Sequence, residues 1–132
     1  MIIADTSGLI SLLIKTDSNH NRAKKIIPLL NAKANGIIIP EDIFSEFVNL
    51  LGRKFDHKEA YLASQKIASI KIFIIENTTE EVRNLALEKF RKQPESVSFS
   101  DCIVMAVADR FETKEIFGFD NAFRKNGYVL PS

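Results

Sequence analysis

The stretch Ile2-Ile3-Ala4-Asp5-Thr6-Ser7-Gly8 sets the organisation of the whole chain. A short apolar run stops at an acid, and a segment with helical character begins directly after it. Apolar runs without a polar interruption are typical of strands buried on both faces of a parallel sheet. Asp5 is suited to capping the helix that follows. The stretch therefore predicts a strand that ends at a polar edge, where a crossover helix begins.

The same alternation of short apolar runs and helical stretches continues along the chain. It predicts an α/β protein of three layers, α/β/α, in which helices cover both faces of a central, mainly parallel sheet of about five strands. The predicted strands are Ile2–Ala4, Ile37–Ile39, Ile72–Ile75, Glu115–Phe119 and Tyr128–Leu130. The predicted helices are residues 7–14, 20–34, 41–54, 57–70, 79–91, 100–110 and 121–126.

Length and composition limit the class of protein. The 132 residues, 45% hydrophobic and 27% charged, are expected to form one globular domain over residues 1–132. No apolar run approaches the roughly 20 residues that cross a bilayer, and no basic segment resembles a secretory signal. The single cysteine, Cys102, excludes an intramolecular disulfide. We therefore expect a soluble, cytoplasmic protein with no membrane contact.

Four acids border or interrupt apolar segments: Asp5, Glu46, Asp101 and Asp120. Asp5 and Asp120 follow predicted strands directly, at the sheet edge where α/β proteins bind ligands. Carboxylates drawn together at the edge of a core repel one another, so they either take up protons or hold a cation. Hard oxygen ligands favour Mg²⁺ or Mn²⁺.

Each acid also has a purely structural interpretation. The three aspartates could cap helices or interact with the dipole of a first turn. Glu46 shares the inward stripe of its helix, so it could instead form a buried salt bridge or extend to solvent at the edge of that stripe. Asp109 lies about two helical turns after Asp101. If the four acids share one pocket, Asp109 could reach that pocket from outside the set of direct ligands.

Together the four segments resemble the PIN-domain family in order, spacing and flanks, and the chain is similar in size to VapC-type toxins of toxin–antitoxin modules. The segments are Ile3-Ala-Asp5-Thr-Ser-Gly-Leu-Ile10, Ile43-Phe-Ser-Glu46-Phe47, Ser98-Phe-Ser-Asp101-Cys-Ile-Val-Met-Ala106 and Phe117-Gly-Phe-Asp120-Asn-Ala-Phe123. The resemblance implies a PIN-like nuclease domain, a ribonuclease dependent on Mg²⁺ or Mn²⁺, in which the four acids hold one or two ions that offset charge at the scissile phosphate. Thr6 or Ser7 matches the small hydroxylic residue of the family that follows the first aspartate.

The resemblance also implies partners. An RNA substrate, a small antitoxin that covers the site, and a homodimer are expected. Because the net charge is only +1, RNA contacts must come from local basic residues. The candidates follow the helices that carry Glu46 and Asp120, and they are Arg53, Lys54, Arg124 and Lys125. One departure from the family is Gly118, where many relatives carry Thr or Ser.

Three alternatives stay open. A receiver-type signalling domain has a similar length and an acidic sheet edge, but it normally carries paired acids after its first strand, where this chain has Asp5 alone. A catalytically silent RNA-binding module of the same fold is expected to lose acids, and this chain keeps all four. A nuclease acting on DNA or on structured flaps would be expected to carry additional clamp elements.

Overall fold

The computed structural model of the chain describes residues 1–33 and 36–132. In this part, four parallel strands form a sheet in the order β3-β2-β1-β4. Every residue of β1, β2 and β4 is buried, as expected for apolar runs covered on both faces. The strands are β1 (Ile2–Ala4), β2 (Ile37–Pro40), β3 (Phe73–Glu76) and β4 (Ile116–Phe117).

Seven helices lie within the described ranges. Their bounds agree with the predicted ones to about one residue, except that the predicted end of the second helix, residue 34, lies outside the described residues. The helices are α1 (Thr6–Leu13), α2 (His20–Lys33), α3 (Glu41–Lys54), α4 (His57–Ser69), α5 (Glu80–Phe90), α6 (Phe99–Arg110) and α7 (Asn121–Lys125).

The strand order places the helices in two layers. The chain moves from β1 to β2 to β3 in one direction across the sheet, and then returns past β1 to β4. Because such crossovers are right-handed, α1 to α4 cover one face of the sheet and α5 and α6 cover the other. The predicted three-layer α/β/α fold is confirmed.

The predicted fifth strand is wrong. Val129 forms only an isolated parallel bridge to Glu115, with hydrogen bonds of 2.8–2.9 Å on its N–H and its carbonyl. The predicted fourth strand, Glu115–Phe119, is also shorter than expected. After Phe117 the backbone leaves the sheet, and the N–H of Phe119 donates to the hydroxyl of Ser7 instead of to a neighbouring strand.

Helix α6 lies at the centre of the fold. It contacts β1, β2 and β4, and every residue from Asp101 to Ala108 is buried. A helix that is apolar on all sides belongs in a core, which also explains why Cys102 is buried. This position brings the first turn of α6, with Asp101, to the sheet edge. Within the described residues, no helix is long and apolar enough to cross a membrane.

Helix α1 approaches β4 closely at Gly8. A Cβ atom on Gly8 would lie 2.1 Å from the carbonyl oxygen of Phe117. The backbone N–H of Asp5 donates to the same oxygen at 3.0 Å. Because Gly8 has no side chain, α1 can lie against the end of β4. This contact brings the segment after β1 beside the segment after β4.

Candidate active site

A pocket of about 510 Å³ lies at the edge of the sheet where β1 and β4 end. All four acids selected from the sequence line it, together with both hydroxylic residues that follow the first aspartate. The lining residues are Asp5, Thr6, Ser7, Ile10, Ser11, Asp17, Asn19, Glu46, Leu50, Ser96, Ser98, Asp101, Phe119 and Asp120.

Asp5 is the most deeply placed of the four acids. Its side chain is buried and caps α1, since Oδ2 accepts hydrogen bonds from the N–H of Ser7 at 3.2 Å and from its hydroxyl at 2.7 Å. The pKa of Asp5 is raised to about 6, mainly by burial and also by the negative charges of Asp101 and Glu46, against the opposing effect of the hydrogen bonds from Ser7. A charged Asp5 is therefore costly in the absence of a cation.

Asp101 stands in the first turn of α6 and forms a reciprocal capping pair with Ser98. Its N–H donates to the Ser98 hydroxyl at 3.1 Å, and its Oδ2 accepts from the Ser98 N–H at 3.2 Å. Burial raises the pKa of Asp101, and the charges of Asp120 and Glu46 act in the same direction. The carboxylates are thus close enough to affect one another electrostatically.

Glu46 and Asp120 are the other two acids that line the pocket. Glu46 is half-buried on α3, at the edge of the buried stripe formed by Ile43, Phe47 and Leu51. Asp120 is exposed and caps α7, with Oδ1 accepting from the N–H of Ala122 at 2.9 Å. The three aspartates therefore both cap or open helices and line one pocket, so the structural interpretation and the site are not exclusive.

Among the side chains that the structure describes, those of residues 1–31 and 36–132, none forms an ion pair with the four pocket acids. The ion pairs described elsewhere in the chain link Lys89 to Asp109, Arg91 and Lys92 to Glu88, and Arg110 to Glu81. None of them reaches the pocket acids. The buried salt bridge considered for Glu46 is therefore not formed among these residues, and the crowded negative charge is left without a protein counterion.

The hydroxyl of Ser7 forms hydrogen bonds to the segments that follow β1 and β4. It donates to Asp5 and accepts from the N–H of Phe119 at 2.9 Å. It occupies the space beside Gly118, where an added Cβ would lie 2.7 Å from the Cβ of Asp5 and 3.2 Å from the Ser7 oxygen. A side chain at residue 118 would therefore clash with Asp5, and Ser7 provides the hydroxyl at this point of the site.

The pocket offers donors suited to a hydrated divalent ion. One oxygen of each aspartate is occupied by a cap, and no described hydrogen bond uses the other. The hydroxyl of Thr6 is buried and has no hydrogen-bond partner. In the described ranges, no three acidic, histidine or cysteine side chains are close enough to enclose an ion alone. Mg²⁺ commonly binds through one or two carboxylates and keeps several waters, which these donors allow.

The sequence analysis did not select two residues that line the pocket, Asp17 and Phe119, or the arginine that lies over one of them. Asp17 lines the pocket and accepts from the hydroxyl of Ser11 at 2.6 Å, a bond that holds its pKa below the usual range. Phe119 forms part of the wall, and the guanidinium carbon of Arg22 lies over its ring, 5.6 Å from the centroid. The position of Phe119 next to Asp120 was the only signal in the sequence.

The four basic candidates are placed differently from one another. Lys54 lies near enough to Asp17 to help lower its pKa. Arg124 donates from Nη2 to the carbonyl of Gly118 at 2.5 Å, beside the acids, and Lys125 is exposed on α7. Arg53 lines a different pocket, between α3 and α4, and is not among the residues that line the pocket of the four acids.

Asp109, which the sequence analysis considered as a residue that could reach the pocket, is not among the residues that line it. Its carboxylate pairs with Lys89 at 2.6 Å and accepts a hydrogen bond from the hydroxyl of Tyr128, also at 2.6 Å. Burial and this bond raise the pKa of Tyr128 well above its usual range. Asp109 therefore joins α5, α6 and the last segment of the chain at the far end of α6 from Asp101.

The fold and the pocket define a class: parallel three-layer α/β proteins with a carboxylate cluster at the carboxyl ends of the strands. The PIN domain family matches residues 2–127, and the chain belongs to this family. It is 23% identical over 130 residues to a VapC ribonuclease of Aquifex aeolicus (strain VF5), covering 97% of this chain and 93% of the relative.

Solved structures agree with this assignment. The chain superposes on the crystal structure of Mycobacterium tuberculosis VapC20, a toxin described as cleaving the sarcin-ricin loop, with a TM-score of 0.84 and 25% sequence identity. The superposition covers 98% of this chain and 97% of VapC20. The resemblance drawn from the four acidic segments is thus confirmed at the level of the family.

Proposed function

We propose that residues 1–132 act as one nuclease domain that hydrolyses RNA phosphodiester bonds with Mg²⁺ or Mn²⁺, as the toxin of a toxin–antitoxin pair. One observation carries the proposal: four carboxylates line a single pocket and none has a cationic partner among the described residues. Membership of the PIN family and similarity to VapC ribonucleases support RNA as the substrate.

A divalent ion would offset charge on the phosphate and lower the pKa of a water molecule in the pocket. Asp5 and Asp101 are the proposed direct ligands, because their raised pKa values reflect burial and repulsion from neighbouring carboxylates, which a cation would relieve. Glu46, half-buried, would orient or deprotonate the attacking water. Asp120 is exposed at the rim and would hold an outer or second ion.

The small hydroxylic residues have separate roles in this proposal. Ser7 fixes the orientation of Asp5 through the hydroxyl bond at 2.7 Å. Thr6, whose hydroxyl is buried and unpartnered, would hydrogen-bond a water of the hydrated ion. The phosphate backbone of RNA would approach between Lys54 on α3 and the basic end of α7, Arg124 and Lys125.

A small antitoxin protein and a homodimer belong to the same proposal. Several large apolar side chains are exposed on α4 and α5 and are available for such contacts. They include Tyr61, Leu62, Leu87 and Phe90. The cytoplasm, where RNA and an antitoxin would be met, is the proposed location.

The direct test is cleavage of a mixed pool of RNA by the purified protein with Mn²⁺ or Mg²⁺, with and without EDTA. We expect internal cleavage that EDTA abolishes. A DNA pool of the same length distribution tests the alternative nucleic acid. Binding of RNA without cleavage under every metal condition would instead support the catalytically silent module.

Millimolar Mn²⁺ is expected to raise the melting temperature of the metal-free protein by several degrees. A ligand that binds only the folded state stabilises it by about 2.7 kcal/mol at 100 times its dissociation constant. The measurement is thermal unfolding with and without Mn²⁺. Glu80→Gln, which removes an exposed acid outside the pocket, is the matched control and should keep the full shift. An unchanged melting temperature for the wild-type protein would contradict a formed ion site.

A further inference from the structure

Phe119 is a fixed aromatic surface on the wall of the acidic pocket. Its ring is half-buried and packs against Phe117 in a T-shaped arrangement, with the centroids 6.2 Å apart. Its backbone N–H is held by the hydroxyl of Ser7. The ring is therefore supported on one side by Phe117, and it stands directly before Asp120, one of the proposed ion-binding acids.

Arg22, on α2, lies over this ring without packing tightly on it. Its guanidinium carbon is 5.6 Å from the ring centroid, whereas closely packed atoms approach to about 3.5–4 Å. The residue is exposed, so its side chain is free to withdraw and cover a flat group placed on the ring. Flat, π-bonded groups stack favourably both on aromatic rings and on guanidinium planes.

A second guanidinium stands close to Arg22. Burial lowers the pKa of Arg124, and the positive charge of Arg22 lowers it further. Nη2 of Arg124 donates to the carbonyl of Gly118, while Nη1 is buried without a hydrogen-bond partner. In residues 1–33 and 36–132, neither arginine takes part in an ion pair. Two neighbouring cations without a counterion favour a bound anion.

We propose that Phe119 and Arg22 form a stacking position for one unpaired RNA base, and that Arg124 contacts the phosphate of the same nucleotide. This inference rests on the proposed function, because it names how the substrate is held at that site. Stacking on aromatic side chains is the common way in which proteins hold single-stranded RNA, and it tolerates any base. The adjoining phosphate would then lie over the acids, so the position would set where the strand is cut.

The test measures equilibrium binding in EDTA, where the strand stays intact, by fluorescence anisotropy. The probes are a labelled adenine ribo-oligonucleotide and an abasic ribose-phosphate oligomer of equal length. Wild-type protein is expected to bind the base-bearing probe about 10-fold more tightly, since stacking of one base on an aromatic side chain strengthens binding by about this factor or more. Phe119→Leu should lose most of this difference, and Phe119→Trp should retain it.

Arg22→Lys is the second variant, and because residue 22 is exposed it does not threaten the fold. It keeps the charge but removes the planar group, so binding of the abasic probe should stay unchanged while binding of the base-bearing probe weakens several-fold. Equal binding of the two probes by wild-type protein would overturn the inference. So would a wild-type preference retained by both Phe119→Leu and Arg22→Lys.

These outcomes are separate from those of the proposed function. If wild-type protein cleaves no RNA with Mn²⁺ but prefers the base-bearing probe, the stacking position stands and the nuclease activity fails. If cleavage occurs but the two probes bind equally, the nuclease activity stands and the stacking position fails.

Discussion

Asp5→Asn is expected to abolish metal-dependent RNA cleavage, with a loss of at least about 100-fold in rate. Changing a residue that only supports a metal ligand typically costs 10–100-fold, and removing a direct ligand should cost at least as much. Asp101→Asn is expected to have the same effect, because it removes the second buried carboxylate of the pocket. The measurement is the initial rate of cleavage of the RNA pool with Mn²⁺.

The stability of Asp5→Asn separates lost chemistry from lost folding. Burial disfavours the charged form of Asp5, as its pKa of about 6 indicates. Above that pH the carboxylate is ionised at a cost to the fold, and a neutral amide removes the cost while its oxygen still accepts from Ser7. In EDTA near pH 7.5, the variant should therefore melt at or above the temperature of the wild-type protein.

With Mn²⁺ added, the wild-type protein should melt at a higher temperature than Asp5→Asn, because the variant should lack the stabilisation that the ion gives the wild-type protein. Glu80→Gln again provides the matched control and should cleave at the wild-type rate. Wild-type cleavage by purified, folded Asp5→Asn and Asp101→Asn would show that the pocket acids do not perform the chemistry.

Gly8→Ala is expected to destabilise the fold strongly, by about 3 kcal/mol or more, although Ala is the better helix former. Helix propensity alone predicts a gain of up to about 1 kcal/mol. However, the new Cβ would lie 2.1 Å from the carbonyl oxygen of Phe117, an atom of the backbone that cannot move without shifting β4. Overpacking a rigid contact commonly costs 1–3 kcal/mol, and this one is unusually close.

Gly52→Ala is the matched control, since Gly52 also lies inside a helix, α3. A Cβ there would lie 3.3 Å from the ring of His57, an exposed side chain that can turn away. We expect this variant to be unchanged or slightly stabilised. Urea unfolding of the two variants under one set of conditions makes the comparison, and equal stability of Gly8→Ala and wild type would show that α1 does not depend on the close approach.

Much of the fold could be predicted because local patterns and tertiary burial agree. Ile2–Ala4 and Ile37–Pro40 are uninterrupted apolar runs, and both are buried strands. The helix predicted over residues 79–91 is also present, with Thr79 as its cap and two acids in its first turn. The fifth strand failed because strand pairing depends on where the backbone leaves the sheet after Phe117, which no local pattern records.

Part of the candidate site could likewise be predicted from the sequence, and part of it could not. Asp5, Glu46, Asp101 and Asp120 were found because each places a charge against an apolar segment, which a sequence displays directly. Arg22 lies in a polar stretch that looks like any exposed helix start, so its approach to Phe119 depends on how α2 packs. The spacing of Asp109 from Asp101 allowed it to reach the pocket. It does not do so, because it contacts Lys89 and Tyr128, which come from other elements and cannot be recognised from the spacing.

The bond between Ser7 and Phe119 joins residues 112 positions apart. During synthesis on the ribosome, the first part of the pocket therefore emerges long before the part that completes it. A growing or prematurely stopped chain that ends before β4 lacks Asp120 and the bond that fixes Ser7. The order of translation thus delays assembly of the pocket until nearly all of these residues have been made.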